Sequence, residues 1–182
     1  MDNIIVNKIN GTQEELELKI LDISYIDKIV QLEQDIFDAL DIKELYATST
    51  KEEFTEILEE KGKIIGAINS ENKLVAMGVY VDYGYNEHNY GYDLDLKDEE
   101  LLTIGQIEST VVRGEYRGNK LQNKICTILE DFAIEENKNI IAATVSPKNP
   151  YSLNTFLNLG YTIEKEKIKY NGVSRYIIKK EL

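Results

Sequence analysis

Ten residues from Arg113 to Gln122, Arg-Gly-Glu-Tyr-Arg-Gly-Asn-Lys-Leu-Gln, form the stretch of this chain best placed to do chemistry. They join a β-branched run to an amphipathic one. Ile107 to Val112 suits a pleated strand, because Thr110, Val111 and Val112 are stiff at χ1 and are poor helix formers. Beyond Gly118, the residues Leu121, Ile125, Ile128, Leu129 and Phe132 recur on one helical face, so the spacing predicts a helix from near Asn119. The first turn of such a helix offers unpaired backbone N–H groups and the positive end of the macrodipole. Arg117 and Lys120 add two cations where cations are otherwise mildly unfavourable. A bound anion resolves that conflict, and the stretch reads as a phosphate-binding turn.

Composition removes several other chemistries. One cysteine and one histidine allow neither an internal disulfide nor a CxxC or HxxxH metal motif, so no metal is expected. Cys126 follows Ile125 in the amphipathic run without a candidate base and reads as a packed thiol in a reducing compartment, with no catalytic role. His88 lies in a loop with Tyr83, Tyr85, Tyr90 and Tyr92 and reads as a surface residue. Those tyrosines suit either an aromatic wall for a cation or the apolar side of a long loop. A formal charge of −12 and a pI near 4.6 disfavour a nucleic-acid partner. The same charge maintains solubility and also attracts amines. Acids occur within the first twenty residues and no apolar run reaches membrane-spanning length, so the expected localisation is cytoplasmic, with no membrane partner.

The surrounding elements must hold the turn in place. Only Pro147 and Pro150 occur, with no repeat or linker, and one domain over 1–182 is expected. Leu16 to Ile23 reads as a strand, followed by helical spacing through Ile26, Ile29, Leu32-Glu33 and Ile36, with Asp22 or Ser24 near its cap. Ser49 or Thr50 opens a second helix with a capping box, buried through Phe54, Ile57 and Leu58 and ended by Gly62. KIIGAI and KLVAMGVYV form a hairpin over a turn-rich Asn69–Asn72 segment, and Asp82 to Glu100 is a long irregular loop. Asn139 to Val145 is an apolar run suited to a strand buried on both faces. A short helix then runs from Asn149 through Ser152, Leu153, Phe156 and Leu157 to Gly160, and the tail is a hairpin around Asn171-Gly172. On residues alone this is a mixed α/β sheet.

The segments VVRGEYRGNKLQ, TVSPKN and SLNTFLNLGY, in that order, resemble the carrier-binding core of the GNAT N-acetyltransferases. That family's signature is Arg/Gln-x-x-Gly-x-Gly/Ala between the fourth strand and the next helix. The resemblance is specific over the second half of the chain and covers the first half only in element order. It implies an α/β GNAT fold, a mixed central sheet flanked by helices, with the fourth and fifth strands splayed to form an acetyl-CoA slot. It also implies acetyl-CoA as cosubstrate without a metal, and direct transfer to a primary amine. Lys120 and Gln122 stand where the signature has glycines, which implies that left-handed backbone is not required at either position.

By the same resemblance, Val111, Val112 and Arg113 would pair with the pantetheine arm, and Arg117, Gly118, Asn119, Lys120, Leu121 and Gln122 would cradle the pyrophosphate. The Val112 N–H would face the thioester oxygen. Asn149 and Ser152 would contact the carrier, although Asn149 reads equally as a helix N-cap. Glu108 would serve as the catalytic base, with a solvated surface glutamate as the alternative. Phe156 occupies the position of the family's acidic tyrosine, leaving Tyr151, Tyr161 or a water to substitute, or no acid at all. The acceptor implied is a small cationic amine, with a protein N-terminus or lysine as the second reading and a non-catalytic acyl-CoA sensor as the third. A homodimer is compatible with each.

Overall fold

The computed structural model describes residues 3–170 and 172–182. Eight strands form one mixed sheet: β1 (Asn3–Asn7), β2 (Gln13–Leu21), β3 (Gly62–Asn69), β4 (Leu74–Val81), β5 (Ile104–Val112), β6 (Ile140–Val145), β7 (Thr162–Lys169) and β8 (Val173–Glu181). Their order is β1-β2-β3-β4-β5-β6-β8-β7, antiparallel except for β5 against β6. Helices α1 (Ile26–Asp38) and α2 (Lys51–Glu56) cover one face, and α3 (Leu121–Glu135) covers the other. Helix α4 (Pro150–Asn158) packs beside α3.

The burial of each element follows from its residues. Every residue of β4 is buried, because α3 lies on one side of it and α1 on the other. Gly78 permits that approach, since a Cβ there would sit 2.3 Å from the Ile125 side chain. On α1 the stripe Ile29, Leu32 and Ile36 is buried, each residue contributing roughly 2 kcal/mol. Glu33 is carried inside with them, only 3% exposed. The capping box of α2 pairs Thr50 with Glu53, and a single π-helical turn, Ile57–Lys61, carries the chain to Gly62.

Two departures from the sequence reading concern the edges. The short strand β1 is an additional element, pairing with β2 and burying only Val6 on its way across the sheet edge. Helix α3 begins at Leu121 rather than near Asn119. The β7–β8 hairpin is present with Gly172 at φ +110°, while Asn171 of its turn lies outside the described residues.

The sheet opens where the site lies. Strand β5 pairs with β6 only from Ile104↔Ile140 to Ile107↔Ala143. Beyond that point β5 stays on β4 as far as Val112, and β6 stays on β8 as far as Val145. The two strands therefore diverge into a V-shaped slot.

Candidate active site

The backbone facing the slot follows from strand register. The Arg113 N–H donates to Val75 O at 2.9 Å, while Val112 lies opposite Ala76 and Val111 opposite Met77. Alternation in an antiparallel ladder then turns the Arg113 N–H and both backbone groups of Val111 to β4, while the Arg113 C=O accepts from Tyr116 N at 3.0 Å. The backbone groups of Val112 and Thr110 point into the gap. Of the three residues expected to pair with the carrier, Val112 turns its backbone groups away from β4, as does Thr110 two residues before it. The Arg113 side chain is also engaged, with Nε on Leu74 O at 3.1 Å and Nη2 on Asp35 at 2.7 Å.

At the mouth of the slot, Gly118 has φ +84° and Lys120 has φ +57°, so Lys120 is left-handed backbone immediately before α3. This overturns the expectation that no such conformation is needed there. An L side chain in that region costs about 1 kcal/mol, which the family's glycine would avoid. Arg117 and Lys120 are exposed, and among the described residues neither forms an ion pair. The Asn119 side chain has a structural task instead: Nδ2 donates to Asn7 O and Tyr116 O at 2.8 and 2.9 Å, and Oδ1 accepts from Asn7 N at 2.8 Å. Leu121 is buried, and Gln122 turns inward, its Nε2 donating to Thr110 Oγ1 at 2.9 Å and Ser152 Oγ at 3.0 Å. Asn149 caps α4 by accepting from Ser152 N at 3.1 Å, and the side chains of Asn149 and Ser152 also border the cavity described next.

Below the mouth, a cavity of about 240 Å³ lies between the 45–49 segment, β5, β6, α4 and the β7–β8 hairpin. Glu108 enters it from a β-bulge: Val79 lies opposite Ser109 and Tyr80 opposite Ile107, leaving Glu108 as the extra residue. Its Oε2 accepts from Tyr90 Oη at 2.9 Å and Gln106 Nε2 at 2.8 Å. Burial pushes the Glu108 carboxyl up, with those two donors opposing the rise. Tyr90 Oη lies 2.7 Å from Tyr170 Oη, which lies 3.1 Å from Thr144 Oγ1. A hydrogen-bonded row thus crosses the cavity from a carboxylate to a phenol. Burial raises the Tyr170 phenol to about 12, so it holds its proton at neutral pH.

The suggested substitutes for the family tyrosine are elsewhere. Phe156 lines the cavity, its ring edge-on to Tyr161 at 5.0 Å. Tyr161 is sealed in the core beside Glu130 and Cys126 with its hydroxyl unpartnered, and Tyr151 is 87% exposed. Burial raises the Cys126 thiol, in keeping with a packed residue. His88 is exposed yet borders the cavity, its ring 5.8 Å from Tyr83.

Sequence reasoning missed Tyr170, Arg175, Tyr46 and Glu33. Glu33 accepts from Tyr46 Oη at 2.8 Å and from Ser49 N at 3.0 Å, and Tyr46 Oη also meets Ser109 Oγ. A carboxylate on α1 thereby pins the segment that walls the cavity to β5. Burial, reinforced by Glu53, raises the Glu33 carboxyl to about 7 against the two donors. The available signal was its place in the buried stripe, four residues after Ile29. Among the described residues no helix is long and apolar enough to cross a membrane, and no three potential metal ligands cluster.

A slot between diverging strands, a cationic left-handed turn at a helix start and a carboxylate on a bulge make up the candidate site. The chain belongs to the Acetyltransferase (GNAT) family, whose model matches residues 26–161. Membership makes it an acetyltransferase that draws on acetyl-CoA. A GNAT-family acetyltransferase from Streptococcus pneumoniae superposes with a TM-score of 0.69 at 15% identity, covering 92% of this chain and 99% of that one. A GCN5-related N-acetyltransferase from Kribbella flavida gives 0.68 at 15% identity, covering 92% and 98%. NAA60 of Arabidopsis thaliana, solved with acetyl-CoA, gives 0.73 at 11% identity, covering 92% and 98%. At these identities the likeness is one of fold. Comparison with curated proteins finds no match in sequence.

Proposed function

We propose that this protein transfers an acetyl group from acetyl-CoA, held in the β5–β6 slot, to the primary amine of a small molecule that enters the cavity beside Glu108. The observation that carries the reading is the pair of unpaired backbone positions, Thr110 and Val112, set between the Arg117–Lys120 turn and the Glu108 bulge. Exposed Arg117 and the left-handed turn fit a pyrophosphate, and the free N–H and C=O groups fit an extended amide-bearing arm.

Acetyl-CoA supplies the activated acyl group. Glu108, whose carboxyl is pushed up by burial, takes the proton that the attacking ammonium must lose. The Val112 N–H stabilises the oxyanion, and Tyr170 returns a proton to the departing thiolate. A cavity of about 240 Å³ favours a small acceptor over a folded protein. Its acidic lining by Glu108 suits a protonated amine, in line with the net charge of −12.

Release of CoA thiol over a panel of primary amines tests turnover, and calorimetry with acetyl-CoA tests the slot. We expect micromolar affinity, about −8 kcal/mol, lost in Arg117→Glu. Glu108→Gln should lower turnover by roughly 10²-fold or more while leaving acetyl-CoA affinity intact. Equal affinity in Arg117→Glu, or undiminished turnover in Glu108→Gln, overturns the respective assignment.

A further inference from the structure

Arg175 is the cavity's unexplained cation. It lies on β8 opposite Lys167, is only 3% exposed, and borders the same cavity as Glu108. Its guanidinium carries five N–H donors, yet among the described residues its hydrogen bonding is Nη1 to Ser174 O at 3.0 Å. Its remaining contact of note is with the ring of Tyr170, whose centroid is 5.5 Å from Cζ. No carboxylate of the described residues forms an ion pair with it. The acid whose field reaches it, Glu44, is held by Lys148 at 2.5 Å.

A buried cation is costly without a partner, and guanidinium cannot shed its proton to escape that cost. The Tyr170 ring lies beside the guanidinium, and the unspent donors of the planar fork suit a planar, two-oxygen anion. Tyr170 is also the residue whose hydroxyl meets the Tyr90–Glu108 row. Glu108, through Tyr90, and Arg175 therefore converge on one tyrosine in one cavity. The Arg117–Lys120 turn lies at the mouth and leaves Arg175 unclaimed by a carrier phosphate.

We infer that Arg175 binds a carboxylate on the acceptor, so that the acceptor is an amino acid or a similar zwitterion with its amine at Glu108 and its carboxylate at Arg175. This rests on the acetyltransferase reading above and names the substrate class of that site. The net negative charge of the protein then draws the ammonium end, while the buried arginine of the cavity selects among amines. A purely cationic polyamine leaves Arg175 unpaired and opposed.

The test uses matched pairs of acceptors that differ only in the anion: glycine and glycinamide, β-alanine and β-alaninamide, phenylalanine and phenylalaninamide. CoA release is measured for the intact chain, Arg175→Met and Arg175→Lys, and the same compounds are titrated calorimetrically against the acetyl-CoA-bound protein. The wild type should prefer at least one acid over its amide by about tenfold or more in kcat/KM. Arg175→Met should abolish or invert that preference with acetyl-CoA affinity unchanged, and Arg175→Lys should retain part of it. Equal use of acids and amides by the wild type overturns the inference and leaves the acetyltransferase reading standing. So does a preference that survives Arg175→Met, or a loss of acetyl-CoA affinity in that variant. If no amine is turned over but acids still bind better than amides through Arg175, the inference holds and the catalytic reading fails. Should Arg175→Met not fold, the wild-type comparison and Arg175→Lys decide the matter.

Discussion

Replacing Glu33 by glutamine should change how stability depends on pH. Glu33 is 3% exposed, has no cationic partner among the described residues, and titrates near 7 instead of the usual 4.5. Between those values the folded chain holds a proton that the unfolded chain has lost. Stability contributed by this group is therefore greatest below pH 4.5 and declines as pH rises to about 7. A displacement from 4.5 to about 7 corresponds to roughly 3 kcal/mol at full ionisation. Glutamine has no such titration. Its Oε1 can still accept from Tyr46 and Ser49, while its amide N–H groups replace an acceptor that Ser49 N also uses. That mismatch adds a penalty of about 1–2 kcal/mol, constant with pH. The informative quantity is consequently the difference between the two proteins as a function of pH. Urea denaturation of wild type and Glu33→Gln from pH 4.5 to 8 should show the variant gaining roughly 3 kcal/mol on the wild type across the window. Parallel stability profiles would refute the assignment of a high pKa to this carboxyl.

Two further outcomes follow from the site. Lys120→Gly relieves a left-handed lysine at φ +57° and should raise stability without ligand by about 1 kcal/mol, read from the denaturation midpoint. Loss of stability would mean that the lysine side chain compensates its backbone. Tyr170→Phe removes the phenol that links Tyr90 to Thr144 and should lower turnover by roughly 10- to 100-fold with acetyl-CoA affinity retained. Undiminished turnover removes Tyr170 from the proton path.

Periodicity made most of the fold legible. The apolar stripes of α1 and α3, the Thr50–Glu53 capping box and the alternating tail each name their element from local residues alone. Strand β1 escaped because Ile4, Ile5 and Val6 are too few to show a period, and its pairing partner supplies the evidence. The expectation of an anion at the turn came from cations that conflict with the helix dipole. The backbone of the turn was misread at Lys120, since φ is imposed there by the approach of the chain to α3 and not by residue preference. The cavity was the least legible part. Tyr46 reaches it from the segment after α1, and Tyr170 and Arg175 from the β7–β8 hairpin far along the sequence, so only the fold brings them together. The bulge at Glu108 likewise depends on the register of β4, which the sequence of β5 does not contain.

The clasp between Asn7 and Asn119 joins residues 112 positions apart. A contact of such sequence separation closes only after a large loop has been ordered, which places it among the slower events of folding. The turn most recognisable in the sequence is thus braced by a strand that carries almost no recognisable pattern. As the chain emerges during synthesis, β1 must wait for Asn119 to appear before its edge is tied down. The converse dependence also holds: a fragment lacking β1 would leave the Asn119 side chain without the Asn7 backbone that braces its turn. A change at Asn7 therefore reaches the turn before α3 through a pair of amides far apart in sequence.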